Sequence, residues 1–419
     1  MSLPDLKATP IWRRAGVIVA AGCIISAFSF GIRSTFGLFT LPIIETYGWD
    51  RGTFALAFAL QALIWGAVQP IAGGFADKFG TARVLIAGSV IYGAGVAAMS
   101  ISDTPALFLL SAGVVVGIGI ATGSFAIVMA AFSRSFGPER RSWAFGIATA
   151  ASSMGQFLFA PLGQAFINAY GWQMASILLG ASMLICIPLA LVLGEGIAQG
   201  DSPKAKAEAA TETTLPLFAA LGRAVSYKSY VLLTTGYFVC GFQLAFLTTH
   251  LPPYLVEAGI DATTASTALA MIGLFNVIGS YIAGILANRY HKPYLLAVIY
   301  AARGVAAIAF LMAPVTALSS IIFAIAMGLL WLSTVPPTAA LVSTMFGTRY
   351  MGMLYGVVFF SHQVGSFFGV WLGGVFYDWF GSYDAIWWTS VALCFMAALI
   401  NLPVREAAAP NFGRAPASA

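Results

Sequence analysis

The sequence predicts an all-α membrane protein whose twelve transmembrane helices form two parallel repeats of six. The first observation is composition: of 419 residues, 60% are hydrophobic and 8% are charged, whereas an ordinary soluble domain has about a quarter charged residues. The second is length, since apolar runs long enough to cross a bilayer, roughly 20 residues, follow one another from Gly16 almost to Leu402. The third is an internal repeat. A water-soluble fold is excluded.

Short polar interruptions divide the apolar sequence into twelve predicted spans. Their approximate limits are 16–44, 53–75, 84–102, 106–132, 143–168, 173–194, 230–256, 263–287, 294–313, 316–345, 352–377 and 384–403. The first apolar run is too long for a signal-peptide core, so we interpret it as a retained helix. All four cysteines lie inside spans without metal-type spacing, which predicts small packing residues.

The longest polar stretch divides the chain into two halves. It predicts an N-terminal six-helix bundle at 1–194, a cytoplasmic central loop at 195–229, a C-terminal six-helix bundle at 230–403 and a cytoplasmic tail at 404–419. Sequence elements recur in the same order in both halves: Gly73–Lys78 as Gly284–Arg289, Pro42, Gly48 and Asp50 as Pro253, Gly259 and Asp261, and Gly171 as Gly381. The halves are therefore predicted to be parallel repeats of one duplicated unit.

The positions of Lys and Arg predict the orientation of the chain. All of them except Arg33, Arg51 and Arg303 lie at the same side of the predicted spans, and positive residues near span ends stay cytoplasmic. We therefore expect a multi-pass protein of the plasma (inner) membrane with both termini in the cytoplasm. The loops on the opposite side carry acids. The net charge of +5 thus reflects topology in the lipid bilayer, and no nucleic-acid partner is expected.

The loop after the second span carries the most specific motif. Its sequence Gly73-Gly74-Phe75-Ala76-Asp77-Lys78-Phe79-Gly80 resembles the loop signature of major facilitator superfamily transporters. The resemblance implies that glycines such as Gly73 and Gly80 allow close helix packing, and that Asp77 caps a helix and pairs with basic neighbours in a gate. Thr81-Ala82-Arg83 departs from the signature, which makes Arg83 the candidate partner. A tight polar turn without a gating role is the alternative.

Within that superfamily the chain resembles the monocarboxylate and oxalate/formate transporter group. Phe28–Ser34 resembles the group's first helix, with Arg33 where the monocarboxylate members have a lysine, and Gly171-Trp172 is another shared feature. One departure concerns the substrate: Asn276 and Ser280 occupy the positions of an acid and an arginine that holds the substrate carboxylate. Carboxylate binding would therefore need another cation.

Two arginines lie near the middle of predicted spans. They are Arg33 and Arg303, and no Asp or Glu lies at comparable depth. A charge at mid-membrane costs about 2.5–3.5 kcal/mol on insertion scales, so it generally faces a cavity or a partner. An unneutralised arginine suits a carboxylate, which it can bind through two hydrogen bonds. We predict that Arg33 contacts an anionic substrate and that Arg303 is structural; a structural Arg33 and a cavity-facing Arg303 are the alternatives.

Polar residues at helical spacing extend the candidate site, because polar groups in lipid need internal partners or a water-lined path. The predicted substrate-binding set is Arg33, Gln61, Gln156, Gln243, Asn276, Tyr355 and His362. Interhelical hydrogen bonding is the alternative for each. An imidazole can change charge near physiological pH, so His362 is also the proton-coupling candidate. The substrate's own carboxylate is a second possible proton carrier, and a neutral hydrogen-bonded histidine is the structural alternative.

These observations predict a secondary active transporter of a small organic anion, a carboxylate, coupled to protons and working by alternating access. No glycine-rich stretch is followed by the Lys-Ser/Thr of a nucleotide site, so ATP-driven transport, a cofactor and a metal are not expected. Enzyme activity is not expected either, because the histidines are dispersed and the spans lack deep acids. Efflux of an amphiphilic compound, exchange against a counter-anion and a non-transporting membrane sensor are the alternatives. By analogy, a monomer suffices.

Overall fold

The computed structural model describes residues 15–123, 125–135, 138–194, 217–347, 350–410 and 412. Within these ranges the regular structure is entirely helical, as predicted. The α-helices are α1 (Ala15–Ser34), α2 (Thr40–Tyr47), α3 (Arg51–Phe79), α4 (Thr81–Ala98), α5 (Pro105–Phe108), α6 (Val116–Thr122), α7 (Phe125–Ser135), α8 (Pro138–Ser182), α9 (Cys186–Val192), α10 (Leu217–Ser226), α11 (Lys228–Glu257), α12 (Ala262–Arg289), α13 (Lys292–Met312), α14 (Ala317–Leu330), α15 (Val335–Phe346), α16 (Met351–Phe380) and α17 (Asp384–Asn401).

Eleven helical segments of the described chain are long and apolar enough to cross a membrane. The difference from the twelve predicted spans arises in one segment, Gly146–Val192, which has 47 residues. At about 1.5 Å per residue it is roughly twice as long as a bilayer core requires. It is interrupted at Gly171, where φ is +78°, a conformation that glycine adopts without a steric penalty. This segment therefore accounts for two predicted spans, the fifth and the sixth.

Residues paired by the sequence repeat share their backbone conformation. Gly48 and Gly259 both have positive φ, at +68° and +88°. Gly171 and Gly381 likewise have φ of +78° and +68°. Asp50 and Asp261, which follow the first of these pairs, each accept a hydrogen bond from the backbone N–H three residues later, at 2.5 and 2.9 Å. The turns at these repeat positions are thus built in the same way.

The chain separates into two compact units. One comprises Met1–Phe36 and Ala67–Asp201, and the other comprises Gly37–Gly66 and Ser202–Ala419. The segment Gly37–Gly66 packs with the C-terminal helices because glycines allow close approach: a Cβ on Gly37 would overlap the backbone oxygen of Thr248. The predicted domain division at 194 and 230 stays a prediction.

Pro336-Pro337 lies just after a break between two helices. Helix α14 ends at Leu330 and α15 begins at Val335, with a proline in its first turn. Because the helical hydrogen bonds are interrupted between the two helices, the backbone carbonyls at the end of α14 need other partners. Their partners are side chains of neighbouring helices.

Glu406, in the segment that follows the last helix, forms contacts with the start of α13. Glu406 accepts hydrogen bonds from the ammonium of Lys292 and from its backbone N–H, the latter at 2.8 Å. Partial burial of the carboxyl opposes ionisation, but these hydrogen bonds outweigh it, so the pKa of Glu406 lies below its ordinary value. The contact therefore contributes stability above the ordinary carboxyl pKa and loses it as the pH falls through the lowered value.

Candidate substrate site

A group of aromatic and polar side chains surrounds His362 in the second unit. The imidazole stacks on Phe359 with ring centroids 6.0 Å apart and an interplanar angle of 7°. Tyr237 approaches it with a centroid distance of 5.2 Å, and the hydroxyl of Tyr237 lies 3.3 Å from that of Tyr355. The structure thus brings two of the predicted residues, Tyr355 and His362, to the same tyrosine. Among the described residues, Nδ1 of His362 has no hydrogen-bond partner.

Arg303 fills the break between α14 and α15. Its Nε and Nη2 donate to the carbonyl oxygen of Leu330, at 3.0 and 2.6 Å, and Nη2 also donates to the carbonyl of Trp331. The Nη1 group lies 3.4 Å from the sulfur of Cys240. A cation at a helix C-terminus satisfies the free carbonyls and the helix dipole together. Because Arg303 is fully buried, these contacts support the predicted structural role.

Cys240 has a polar environment, unlike the packing role predicted for it. Besides the guanidinium of Arg303, its sulfur lies 3.2 Å from the hydroxyl of Thr334. The thiol therefore belongs to the polar group that replaces helical hydrogen bonds at the break. Sequence spacing gave no indication of this role, because Cys240, Arg303 and Thr334 are on three different segments.

Two predicted amides have partners inside the second unit. The side-chain oxygen of Asn276 accepts a hydrogen bond of 2.9 Å from the backbone N–H of Leu332, so it also holds the helix break. Gln243 is 1% exposed and interacts with the thiol of Cys394. Gln61 is 1% exposed as well. Asn276 thus forms a hydrogen bond between helical segments, which was the alternative to substrate binding. A substrate contact by Asn276, Gln243 or Gln61 stays a prediction.

Two other predicted residues, Arg33 and Gln156, belong to the first unit. Arg33 lies near the C-terminal end of α1 and keeps part of its side chain accessible, whereas Gln156 is buried. Arg33 interacts electrostatically with Tyr92, whose hydroxyl donates a 3.0 Å hydrogen bond to the carbonyl of Ser29. Of the two deep arginines, Arg33 is thus the one with accessible surface.

The predicted gating motif lies where α3 ends and α4 begins. Gly80 has φ of +91°, which explains why a glycine stands there. A Cβ on Gly73 would meet no atom of the described residues within 4 Å, so no close contact with them requires a glycine at that position. Arg83 is exposed and its Nη1 is 3.4 Å from the carbonyl of Phe79. The side chain of Asp77 lies outside the described part of the chain, so its pairing with Arg83 stays a prediction.

The structure adds a charged contact that the sequence did not predict. Arg51, at the start of α3, forms an ion pair with Glu257 and donates to the hydroxyl of Tyr383 at 2.6 Å. The carboxylate of Asp378 accepts hydrogen bonds from the backbone N–H groups of Arg51 and Gly52, at 3.0 and 2.7 Å. The sequence places Arg51 beside loops that carry acids, and this feature could have indicated the ion pair. These contacts fasten α3 to α11 and α16.

Long apolar helices and turns that recur at the repeat positions define a multi-pass α-helical membrane protein built from two related halves. The model of the Major Facilitator Superfamily matches residues 21–370. The chain therefore belongs to this superfamily, and its members are transporters of small molecules, not enzymes.

Known proteins with similar sequences include transporters of organic acids. The chain is 26% identical to monocarboxylate transporter 13 of Rattus norvegicus, over 92% of this chain and 88% of the relative. It is 25% identical to the oxalate:formate antiporter of Oxalobacter formigenes, over 96% and 92% respectively. It is 26% identical to the MFS-type transporter YcxA of Bacillus subtilis (strain 168), over 88% and 90%. The resemblance to the monocarboxylate and oxalate/formate group is confirmed.

Solved structures confirm the fold. A bacterial homologue of the human lysosomal transporter Spinster, in an inward-facing and occupied conformation, superposes with a TM-score of 0.74 at 14% identity. The match covers 94% of this chain and 97% of the other.

Proposed function

We propose that the protein is a secondary active transporter of a small organic anion, a carboxylate, that works by alternating access in symport with protons. The observation that carries the proposal is the pair of deep arginines. Arg303 is fully buried and bonded to the carbonyls of the helix break, whereas Arg33 is partly exposed. An accessible arginine in a span without deep acids favours an anionic ligand.

The relatives support the same substrate class. Two of them are named for monocarboxylate transport and for oxalate:formate exchange. The arginine expected in α12 by resemblance is replaced by Ser280, whose hydroxyl donates to the carbonyl of Asn276 at 2.7 Å. The cation for a carboxylate is therefore proposed to be Arg33, with Gln61, Gln156, Gln243, Asn276, Tyr355 and His362 as the further candidate contacts.

Proton coupling is assigned to His362 in this proposal. Its Nδ1 has no hydrogen-bond partner among the described residues, so this atom is not committed to another described group. The motif Gly73, Asp77, Gly80 and Arg83 is proposed as a gate. We further propose that the protein acts in the plasma (inner) membrane with both termini cytoplasmic, since the Lys and Arg distribution follows the positive-inside rule.

Anion exchange is the second candidate function. It is favoured by the likeness to a relative named an antiporter. In proteoliposomes, exchange requires an anion on the opposite side, whereas symport requires a proton gradient. The two modes are therefore separated by uptake into vesicles that are loaded or not loaded with the same anion.

Substitution of Arg33 by glutamine is expected to abolish the binding of carboxylates while leaving the protein folded. The measurement is ligand-dependent thermal stabilisation of the purified protein with a panel of carboxylates, neutral analogues and cationic amphiphiles. A ligand that binds only the folded state adds about 2.7 kcal/mol at a hundredfold excess over its Kd. Arg33→Lys is the matched control and should retain binding, because it keeps the positive charge. Stabilisation by neutral or cationic compounds that is unchanged in Arg33→Gln would refute the anion proposal and favour efflux.

Substitution of His362 by glutamine is expected to remove the stimulation of uptake by an inward proton gradient. Glutamine can form hydrogen bonds but does not change charge near neutral pH, so a proton can no longer be carried there. Uptake would be followed in proteoliposomes with and without the gradient, and exchange between loaded vesicles serves as the control that the variant still binds. If the gradient still stimulates uptake by the variant, the proton carrier would be the substrate's own carboxylate and not His362.

A further inference from the structure

Gln363, the residue after His362, carries an amide that the described protein leaves without partners. Its side chain is 0% exposed, and neither Oε1 nor Nε2 has a hydrogen-bond partner among the described residues. A buried polar group without a partner is unfavourable. An amide with both of its polar atoms in this state at the middle of α16 therefore needs an explanation.

The surroundings show what holds the amide in place. A Cβ on Gly66 of α3 would approach Cβ and Cγ of Gln363 to 2.9 and 3.0 Å, so only a glycine permits this contact. One position earlier on α3, Trp65 packs edge-on against Phe359 at a centroid distance of 5.4 Å. Phe359 is the same ring that stacks on His362. The unpaired amide thus adjoins the aromatic group around His362, on the side facing α3.

We propose that Gln363 is a specificity-determining residue that binds a second polar group of the transported molecule, one that both donates and accepts a hydrogen bond. A primary amide offers an N–H donor and a carbonyl acceptor side by side, so its best complement is a carboxamide or a hydroxyl on the substrate. This inference rests on the proposed transport of organic anions and adds to it a neutral subsite, distinct from the cation that binds the carboxylate.

The same amide couples substrate binding to helix packing. When α3 lies against α16, as in this structure, both amide atoms are buried and have no partner among the described residues. A substrate with a donor and an acceptor can reach the amide only when α3 and α16 separate, so binding at Gln363 favours the separated arrangement. A ligand shifts a conformational equilibrium by its difference in affinity for the two states, and Gln363 supplies such a difference.

An isosteric series of carboxylates tests the subsite. Succinamate carries a terminal amide, 4-oxopentanoate keeps the acceptor but loses the donor, and 4-methylpentanoate has neither; the series that is one carbon shorter covers a closer spacing. Affinities would be measured by thermal stabilisation for the wild type and for Gln363→Met, which keeps the side-chain length. We expect the wild type to prefer the amide by about threefold to tenfold, the range of one hydrogen bond, and Gln363→Met to bind all three equally.

Stability without ligand provides a second measurement. Gln363→Met, and Gln363→Leu as a second variant, should raise the unfolding midpoint because they remove an unpaired buried amide. Gln164→Met is the matched control: Gln164 is 6% exposed, and its amide donates to Asn168 at 2.8 Å, so this change should not raise the midpoint or alter affinity.

The outcomes separate this inference from the proposed function. If carboxylates bind but both Gln363 variants keep the wild-type ligand order, or if they lower the midpoint, the inference is overturned and the anion proposal stands. If no carboxylate binds, but neutral amides stabilise the wild type and not Gln363→Met, the anion proposal fails and the subsite stands. If the binding of neither carboxylates nor neutral amides depends on Gln363, the inference is wrong.

Discussion

Replacing Arg303 by methionine is expected to destabilise the protein by about 3 kcal/mol or more, which makes it the most damaging of the proposed substitutions. The guanidinium donates to the carbonyls of Leu330 and Trp331 at the end of α14. Methionine would leave these buried carbonyls without donors, and each such group costs about 1–3 kcal/mol. The gain from no longer burying a charge offsets only part of this loss, because the helix break itself stays.

Thermal unfolding can be followed with a thiol-reactive dye, since Cys186 and Cys394 are free and buried and become reactive on unfolding. Arg303→Lys is the matched control. It keeps the charge but cannot place two donors on one carbonyl, so an intermediate midpoint is expected. A variant Arg303→Met that is as stable as the wild type but binds no carboxylate would instead make Arg303 a substrate contact.

Replacing Gly365 by alanine is expected to be the second most damaging change, at about 1–3 kcal/mol or more. A Cβ at Gly365 would overlap the carbonyl oxygen of Phe238, and Gly369 faces Phe242 in the same way. Backbone atoms of α11 cannot move aside as a side-chain tip can, so α11 and α16 would have to separate and lose packing along their length.

Gly356 lies on the same helix and provides the matched control. A Cβ there would meet no atom of the described part of the chain within 4 Å, so Gly356→Ala should be neutral or stabilising by up to about 1 kcal/mol through helix propensity. Gly365→Ala should therefore lower the unfolding midpoint, whereas Gly356→Ala should leave it unchanged or raise it. Equal shifts would show that close packing of α11 and α16 is not what Gly365 provides.

Several features of the fold were predictable from local sequence. The spans follow from apolar length, and Pro336-Pro337 marks the start of α15. The repeat was visible as matching residues, and the positive φ angles of Gly48 and Gly259 give the match a structural basis. The fifth and sixth spans were predicted as separate, and the chain joins them through Gly171. These features depend on one segment at a time, so the sequence carries them directly.

The candidate site was only partly predictable. Helical spacing placed Tyr355 and His362 on one face, and the structure brings both to Tyr237. Spacing also suggested Asn276, whose side-chain oxygen accepts a hydrogen bond from the backbone at the helix break. Helical spacing did not select Gln363, because adjacent residues of an α-helix point in different directions and Gln363 does not share the face of His362. A polar residue alone does not reveal which partner it has.

The sequence by itself determined that the chain crosses the membrane repeatedly as two related halves, because lipid requires every backbone group to be satisfied within its own helix. That requirement is local and is visible in apolar length, prolines and glycines. Only the tertiary structure decided which polar groups have partners within the protein and which do not. Arg303 and Asn276 complete the break between α14 and α15, while the amide of Gln363 stays unpaired among the described residues. The reason is physical: a hydrogen bond between helices depends on their rotation and distance, which glycine contacts between distant segments set.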